Sequence, residues 1–283
     1  MNEYISSKKR ERIDKIFKFS IYIITFTILI PLFLIFGFII TNGIKNISIE
    51  FLIKNPVPVG ETGGGILNAL IGTFILIILS SVLAIPFGIT AGIYLSENSN
   101  KKYAQYISTF VDVFQGIPSI VLGIIAYVWI VLPVKKFSAL SGAVALSIMM
   151  LPTIIKATEE TLKMIPYSLK EAAYSLGVPY HRTILKVILP AAFSGILSGT
   201  LVSIGRISGE TAPLLFTAFG SNLLEWNIFK PMNSLPLLIF NYAKSPYPEW
   251  HELAWSASLV LITIVFLFNL LASIGEKKWK IKF

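Results

Sequence analysis

The sequence contains no cysteine among its 283 residues. This absence excludes disulfide bonds, zinc–thiolate sites, iron–sulfur clusters and cysteine nucleophiles. The two histidines, His181 and His251, are too few for a histidine-based metal site. The chain also lacks the G-x-S-x-G and H-E-x-x-H motifs, and the glycine run at 63–65 is not followed by the lysine of a P-loop. We therefore expect no catalytic residue, no metal site and no cofactor on this chain.

Charged residues are also scarce, at 14% of the chain against about 25% in soluble domains. The mean hydropathy is +0.74, which indicates segments that face lipid. The formal net charge is nonetheless +9, which by itself is compatible with nucleic acid or a membrane surface as the partner. The placement of the cations along the chain decides between these two partners.

Six segments are long and apolar enough for membrane helices, which need about 20 residues each. They are 19–40, 67–95, 107–132, 137–155, 191–216 and 253–274. The residues before position 19 are charged and lack a small-residue cleavage site, so the first span is expected to be retained. The sequence therefore predicts an all-α membrane protein with about six transmembrane helices.

Lysine and arginine are distributed unevenly between the two sides of these spans. The N-terminal segment, the second and fourth loops and the C-terminal tail carry 17 of them, against 6 in the other loops. Because cytoplasmic loops are enriched in these residues, both termini are expected in the cytoplasm. Topology and contact with membrane lipid then account for the positive charge, and no nucleic-acid partner is expected.

The two longer outside loops are rich in turn-forming and aromatic residues. Residues 42–66 contain prolines and glycines and are expected to form a turn before the second span. Residues 221–252 are expected to form the longest outside loop and carry Trp226, Tyr247 and Trp250. These aromatic residues suit either the membrane interface or a soluble partner.

The fourth loop, at about 156–189, contains a short predicted helix. Pro166 is suited to a helix start, Gly177 to its C-terminal cap, and Pro179 prevents its continuation. The apolar positions at helical spacing are Leu169, Ala172, Ala173 and Leu176. Such a helix could fill a groove on another protein or lie on the lipid surface, and its periodicity alone leaves both interpretations open.

The residue identities and their spacing in this loop are more specific than its hydrophobic periodicity. Glu171-Ala172-Ala173 is followed after three residues by Gly177 and after nine more by Val187-Ile188-Leu189-Pro190. This pattern resembles the EAA motif of bacterial ABC importer permeases, with Val187 in place of the usual isoleucine. The resemblance implies the MetI-like permease fold and a coupling helix that docks on a separate ATPase subunit. The residues it assigns to coupling are Glu171, Ala172, Ala173, Gly177, Leu189 and Pro190.

The fifth predicted span contains Arg206 and Glu210, although one charge at the centre of a membrane helix costs about 3 kcal/mol. Their i, i+4 spacing places them on one helix face, where they can pair. The pair is either a structural salt bridge or part of an anion path, because guanidinium offers a planar donor fork that matches phosphate oxygens. Ser208 and Thr211 could donate to the same anion or bond to backbone carbonyls. Glycines at four-residue spacing, Gly195 with Gly199 and Gly205 with Gly209, would permit close helix packing.

Four further stretches are distinctive: R-I-S-G-E-T-A-P-L-L-F-T at 206–217, G-I-P-S-I-V at 116–121, the stretch 151–160 and P-M-N-S-L-P at 231–236. Together they give the chain a closer resemblance, to the phosphate-specific permeases of ABC importers. It covers about residues 60–275 and is weak over the first span. In that family an intramembrane arginine is implicated in phosphate passage, and Arg206 occupies the matching position, with Glu210 at the neighbouring acidic position.

This resemblance implies a non-catalytic phosphate permease in a prokaryotic cytoplasmic membrane. The implied partners are a second, related permease in a heterodimer, two cytoplasmic ATP-binding subunits and an external phosphate-binding protein. ATP and magnesium would then bind to the ATPase. Two alternatives remain open at this point: a permease for another oxyanion such as sulfate or molybdate, and a secondary transporter or channel that works alone.

The predicted organisation has four parts. A cytoplasmic N-terminal segment covers 1–18, a first transmembrane helix with its outer loop 19–66, a permease core with the coupling loop 156–190 covers 67–274, and a basic cytoplasmic tail 275–283. Lys156, Glu159 and Glu160 are expected on a solvated cytoplasmic helix face.

Overall fold

The computed structural model describes residues 2–58, 60–61 and 63–279, and most of these residues are helical. In the first half of the chain the helices are α1 (Asn2–Gly43), α2 (Ile49–Ile53), α3 (Leu67–Glu97), α4 (Lys102–Gln115), α5 (Ser119–Ala126), α6 (Leu132–Val134) and α7 (Ala139–Lys163). They are followed by α8 (Tyr167–Ser175), α9 (Tyr180–Thr183), α10 (Leu189–Ser208), α11 (Ala212–Thr217), α12 (Leu235–Ala243) and α13 (Pro248–Trp279). A 3-10 turn covers Ile44–Asn46, and π-helical turns at Tyr127–Val131 and Ile184–Ile188 join α5 to α6 and α9 to α10. Within this part of the chain, β-structure is limited to a bridge between Phe219 and Met232.

The predicted all-helical membrane fold is confirmed. Among the described residues, five helical stretches are long and apolar enough to cross a membrane, or six if a bent pair counts as one span. The five are Lys9–Asn46, Leu67–Glu97, Ala139–Lys163, Tyr180–Ser208 and Pro248–Leu270.

The prediction of one continuous helix over 107–132 is wrong. The chain there forms two pieces, Lys102–Gln115 and Ser119–Val134, which meet at an angle of 103°. Pro118 stands at the N-cap of α5 with a ψ of 135° and is therefore not helical. A proline also disfavours the helical conformation of the residue before it, which places the break at Gly116–Pro118.

The helices α3, α7 and α10 pack closely through glycine. A β-carbon on Gly92 of α3 would lie 2.5 Å from Cβ of Thr158 on α7, and one on Gly199 of α10 would lie 2.1 Å from Cβ of Ala157. Small residues allow such backbone approach in membrane helices, where lipid supplies no hydrophobic force between helices. The three helices therefore form the central packing unit of the fold.

Helix α1 lies at the periphery of this unit. No residue of its most apolar 18-residue window is buried within the chain. Its outer end packs on α13, where Phe38 and Trp255 meet edge to face at 5.0 Å and the hydroxyl of Ser256 donates to the carbonyl of Gly43 at 2.8 Å. Residues 2–18 of the predicted cytoplasmic segment are helical and continue into the first span, because α1 begins at Asn2.

The predicted outside loop at 221–252 contains the helix α12 and the start of α13. The helix α12 is too short to cross a membrane and buries Leu235, Leu237 and Leu238. Its first amide, that of Leu235, donates to the hydroxyl of Thr73 on α3 at 2.8 Å. In the N-terminal part of α13, Trp250 stacks on Tyr242 at 4.6 Å. The outer end of the core is therefore covered by packed structure.

The predicted basic tail at 275–283 is described only in part. The helix α13 continues to Trp279, while 280–283, with Lys280 and Lys282, lie outside the described residues.

Candidate functional site

Arg206 stands in the last turn of α10, close to a break in the predicted fifth span. That span was expected to be one helix over 191–216, but α10 ends at Ser208 and α11 begins at Ala212. Proline has no N–H and its ring clashes with the carbonyl four residues earlier, so Pro213 prevents a helix from continuing past Gly209. The prediction of a continuous helix is therefore wrong, and Glu210 lies in the connection between the two helices.

The predicted pairing of Arg206 with Glu210 is present but loose. The Nε of Arg206 lies 4.0 Å from Oε1 of Glu210, and the two side chains are 46% and 18% exposed. Charge-assisted hydrogen bonds between nitrogen and oxygen are about 2.7–2.9 Å long, so this contact is weaker than a formed bridge. The guanidinium therefore keeps donor groups accessible to an anion.

The direction of Arg206 follows from the packing of α10. Gly199 contacts α7, and Arg206 follows seven residues later, about two helical turns on the same face. Between them, the buried Ser203 hydroxyl lies 3.5 Å from the carbonyl of Met150 on α7. Arg206 therefore lies on the α7 side of its helix.

The glycine pairs of α10 differ in what they contact. Gly195 and Gly199 meet Thr161 and Ala157 of α7 closely, as predicted. A β-carbon on Gly205 would instead make an ordinary contact of 3.4 Å with Asn269 on α13, and one on Gly209 would meet nothing closer than 3.9 Å. The second predicted pair therefore does not bring two helices together.

The two hydroxyl residues predicted beside the pair are placed differently. Ser208 is 2% exposed and its hydroxyl donates to the carbonyl of Ile204 at 2.7 Å. Thr211 is half-buried, directly follows Glu210, and its backbone carbonyl accepts the amide of Leu214 at the start of α11. The hydroxyl of Ser208 is therefore already bonded within its own helix, although Ser208 lies between Arg206 and Glu210 in the chain.

The short cytoplasmic helix predicted after the fourth span is α8. Pro166 stands at its N-cap, and Gly177 has a φ of +74°, the left-handed conformation of a helix C-terminus. Ala173 is 6% exposed, and Leu169 packs on the apolar cluster that contains Ile188. Leu176 was expected on this apolar face but is 83% exposed, because α8 ends one residue before it.

The motif residues occupy two neighbouring elements. Glu171 and Ala172 are exposed on α8, while Leu189 is half-buried and Pro190 exposed in the first turn of α10. Large exposed apolar side chains surround α8, namely Met164, Tyr167, Leu176 and Tyr180. The surface around α8 therefore combines an exposed carboxylate with a broad apolar area.

A third polar cluster, on α4 and α7, differs from the prediction. Glu159 was expected in solvent, but its side chain is 3% exposed and accepts hydrogen bonds from Lys163 at 2.6 Å and Ser108 at 3.0 Å. Lys156 is 14% exposed and lies 2.8 Å from Asp112. Lys156 lies three residues before Glu159 and Lys163 four residues after it, while Ser108 and Asp112 lie four residues apart on α4. This spacing of polar and charged residues on two helices could have indicated the cluster.

No group of three or more histidine, cysteine, aspartate or glutamate side chains in the described part of the chain is arranged to hold a metal ion.

Solved structures share this architecture. One is the methionine ABC transporter MetNI in an inward-facing conformation, with a TM-score of 0.65 at 19% identity over 76% of this chain and 95% of that chain. Another is an amino acid ABC transporter, with a TM-score of 0.54 at 18% identity over 74% of this chain and 92% of that chain. These likenesses show that the chain has the fold of these ABC transporter chains.

The sequence comparisons are more specific. The model of the family described as binding-protein-dependent transport system inner membrane component matches residues 84–281. The phosphate transport system permease protein PstA of Yersinia pestis is 40% identical over 242 residues, which are 85% of this chain and 82% of that protein. The PstA protein of Xylella fastidiosa (strain 9a5c) is 43% identical over 82% of this chain and 81% of its own length. A probable PstA of Methanocaldococcus jannaschii is 36% identical over 90% of both chains.

The chain belongs to the family of binding-protein-dependent transport system inner membrane components, and within it to the PstA permeases. The predicted family, the predicted fold and the predicted multi-pass location in a prokaryotic cytoplasmic membrane are thereby confirmed. Members of such importers work with an ATPase and a substrate-binding partner.

Proposed function

We propose that this chain is the permease subunit of an ATP-driven importer of inorganic phosphate. The observation that carries the proposal is the 36–43% identity to proteins named as phosphate permeases, over most of the chain. An accessible arginine on the α7 side of α10 supplies an anion-binding group. The identities support phosphate over sulfate or molybdate, and family membership supports a subunit of an importer over a transporter that works alone.

Arg206 and Glu210 have complementary roles in this proposal. Guanidinium binds phosphate oxygens through parallel N–H bonds and stays charged in every environment found in proteins. Glu210, at 4.0 Å, holds Arg206 in position when no anion is present and disfavours long retention of one. Thr211 lies next to Glu210 and could donate its hydroxyl, whereas the hydroxyl of Ser208 is already bonded to Ile204.

The permease would act with several partners. The exposed length of α1 supports a second, related permease as a heterodimer partner, since among the described residues α1 packs on this chain only at its outer end and its most apolar part has surface for another subunit. Two cytoplasmic ATP-binding subunits would dock on the permeases, one on the surface around α8 of this chain and one on the corresponding surface of the second permease. An external phosphate-binding protein would deliver the anion. ATP and magnesium would bind to the ATPase subunits, so this chain would carry no cofactor and no catalytic residue.

Transport would proceed by alternating access. When ATP closes the two ATPase subunits, α8 would be displaced and the membrane helices would tilt to an outward-facing state. Phosphate released by the external protein would contact Arg206 briefly, and ATP hydrolysis would return the helices to the inward-facing state.

The proposal is tested with proteoliposomes that contain the chain, the second permease and the ATPase, with binding protein outside. Labelled phosphate uptake is expected to require ATP and all four components, and excess sulfate or molybdate should leave it unchanged. Competition by sulfate or molybdate would reassign the cargo. Uptake by the purified chain alone, without ATP, would refute the proposed subunit role.

A further inference from the structure

A partly buried ion pair connects α8 to α3. The ammonium of Lys170 on α8 lies 2.5 Å from Oε1 of Glu97, the last residue of α3, and the side chains are 15% and 13% exposed. The hydroxyl of Tyr180, the first residue of α9, lies 3.4 Å from the other carboxylate oxygen of Glu97. One carboxylate thus contacts both the helix before the Gly177 turn and the helix after it.

The covalent connections of α8 do not fix its orientation by themselves. It is joined to α7 through Met164–Pro166 and to α9 through Leu176–Pro179, two non-helical connections. Leu169 adds an apolar contact with the cluster that contains Ile188. An apolar contact is not directional, whereas a short charge-assisted hydrogen bond fixes distance and angle. The ion pair therefore supplies the directional contact between α8 and α3.

Glu97 lies where a movement of α8 would be transmitted to other helices. Gly88 and Gly92 bring the cytoplasmic half of α3 against Ile154 and Thr158 of α7 with no free space between the backbones. The four residues 98–101 then connect Glu97 to α4, the helix that precedes the 103° bend. A force applied at Glu97 consequently reaches α3, α7 and α4 together.

We propose that Lys170 and Glu97, assisted by Tyr180, are positioning residues that transmit the movement of the ATPase from α8 to α3. This inference rests on the proposed function, because it requires an ATPase docked on α8. It assigns a role to the lysine that directly precedes the Glu-Ala-Ala motif, and to a carboxylate 74 positions before Glu171 in the sequence.

The test uses the complete reconstituted importer and measures phosphate taken up per ATP hydrolysed, together with co-purification of the ATPase. Glu97→Gln and Lys170→Met are each expected to lower this ratio at least fivefold while the ATPase still co-purifies. The charge-swapped variant, Glu97→Lys with Lys170→Glu, is expected to recover at least half of the wild-type ratio. As a matched control, the same swap at Glu11 and Lys15, an exposed ion pair on α1, is expected to leave the ratio unchanged.

Lys170→Arg, which keeps the positive charge, is expected to retain at least half of the wild-type ratio of phosphate taken up per ATP hydrolysed. This variant distinguishes loss of the positioning charge from a general loss of structure at position 170. A wild-type ratio in both single variants overturns the inference, as does a charge swap that transports no better than the single variants. Loss of the ATPase from Lys170→Met would likewise overturn it and assign the pair to assembly. If the wild-type complex takes up no phosphate, the proposed function itself fails, which is a different result.

Discussion

The hydroxyl of Ser108 on α4 lies 3.0 Å from Oε2 of Glu159 on α7, a carboxylate whose side chain is 3% exposed. Lys156 and Lys163 of the same helix approach this carboxylate at 3.5 and 2.6 Å. An ion so thoroughly removed from solvent is stable only with such partners. The cluster therefore joins the cytoplasmic half of α4 to α7.

Replacement of Glu159 by glutamine is expected to destabilise the chain. Glutamine loses the charge-assisted hydrogen bonds that Glu159 accepts from Lys163 and Ser108, and a hydrogen bond to a charged group contributes about 1.5–3 kcal/mol. The measurement is the free energy of unfolding of the purified complex in detergent. Glu160→Gln, at the exposed neighbouring position, is the matched control and should change this free energy by less than about 0.5 kcal/mol. Equal effects of the two substitutions would contradict the structural role of the cluster.

Close packing of α10 on α7 gives a second prediction. Gly199→Leu should destabilise the complex by at least about 2 kcal/mol, because its β-carbon would lie 2.1 Å from that of Ala157 and the helices must separate. Thermal unfolding of the purified complex measures the effect. Gly37→Ala on α1, where no atom lies within 4 Å of the added β-carbon, should be tolerated. A tolerated Gly199→Leu would show that α10 and α7 are not in this contact.

The turn after α8 gives a third prediction. Gly177 has a φ of +74° but free space around its missing side chain, so substitutions there act through backbone strain. Gly177→Val should reduce ATPase co-purification and uptake strongly, because a β-branched residue avoids this conformation. Gly177→Asn should retain most of both, since asparagine tolerates it. Equal behaviour of the two variants would mean that the left-handed turn does not position α8.

Much of the fold could be predicted from local sequence signals. Apolar run lengths identify the spans 67–95 and 253–274, and the Pro166 and Gly177 signals place α8 to within two residues. These features depend on residues that are close in sequence. The predictions that are wrong at Pro118 and Pro213 arise because membrane helices often tolerate proline, so its presence alone does not distinguish a tolerated residue from a break.

The contacts at the candidate sites also differ in whether they could be predicted from the sequence. The Arg206–Glu210 pair was predictable, because the two residues are four positions apart and a charge in a membrane helix requires a partner. The Glu97–Lys170 pair joins residues 73 positions apart and depends on how α8 folds back on α3. A single sequence contains no signal for such a distance. The contact of Glu159 with Ser108 also joins two helices, and only the spacing of the polar and charged residues within each helix could have indicated it.

An anion that crosses the membrane through this ATP-driven permease is expected to pass Arg206. The most direct test compares Arg206→Ala with Arg206→Lys in phosphate uptake by the reconstituted importer. Alanine is expected to abolish uptake although the complex still assembles, and lysine, a point charge without the planar fork, is expected to retain a fraction of it. Wild-type uptake by Arg206→Ala would contradict a role of Arg206 in anion passage, and loss of assembly would instead assign the Arg206–Glu210 pair to the structure of the chain.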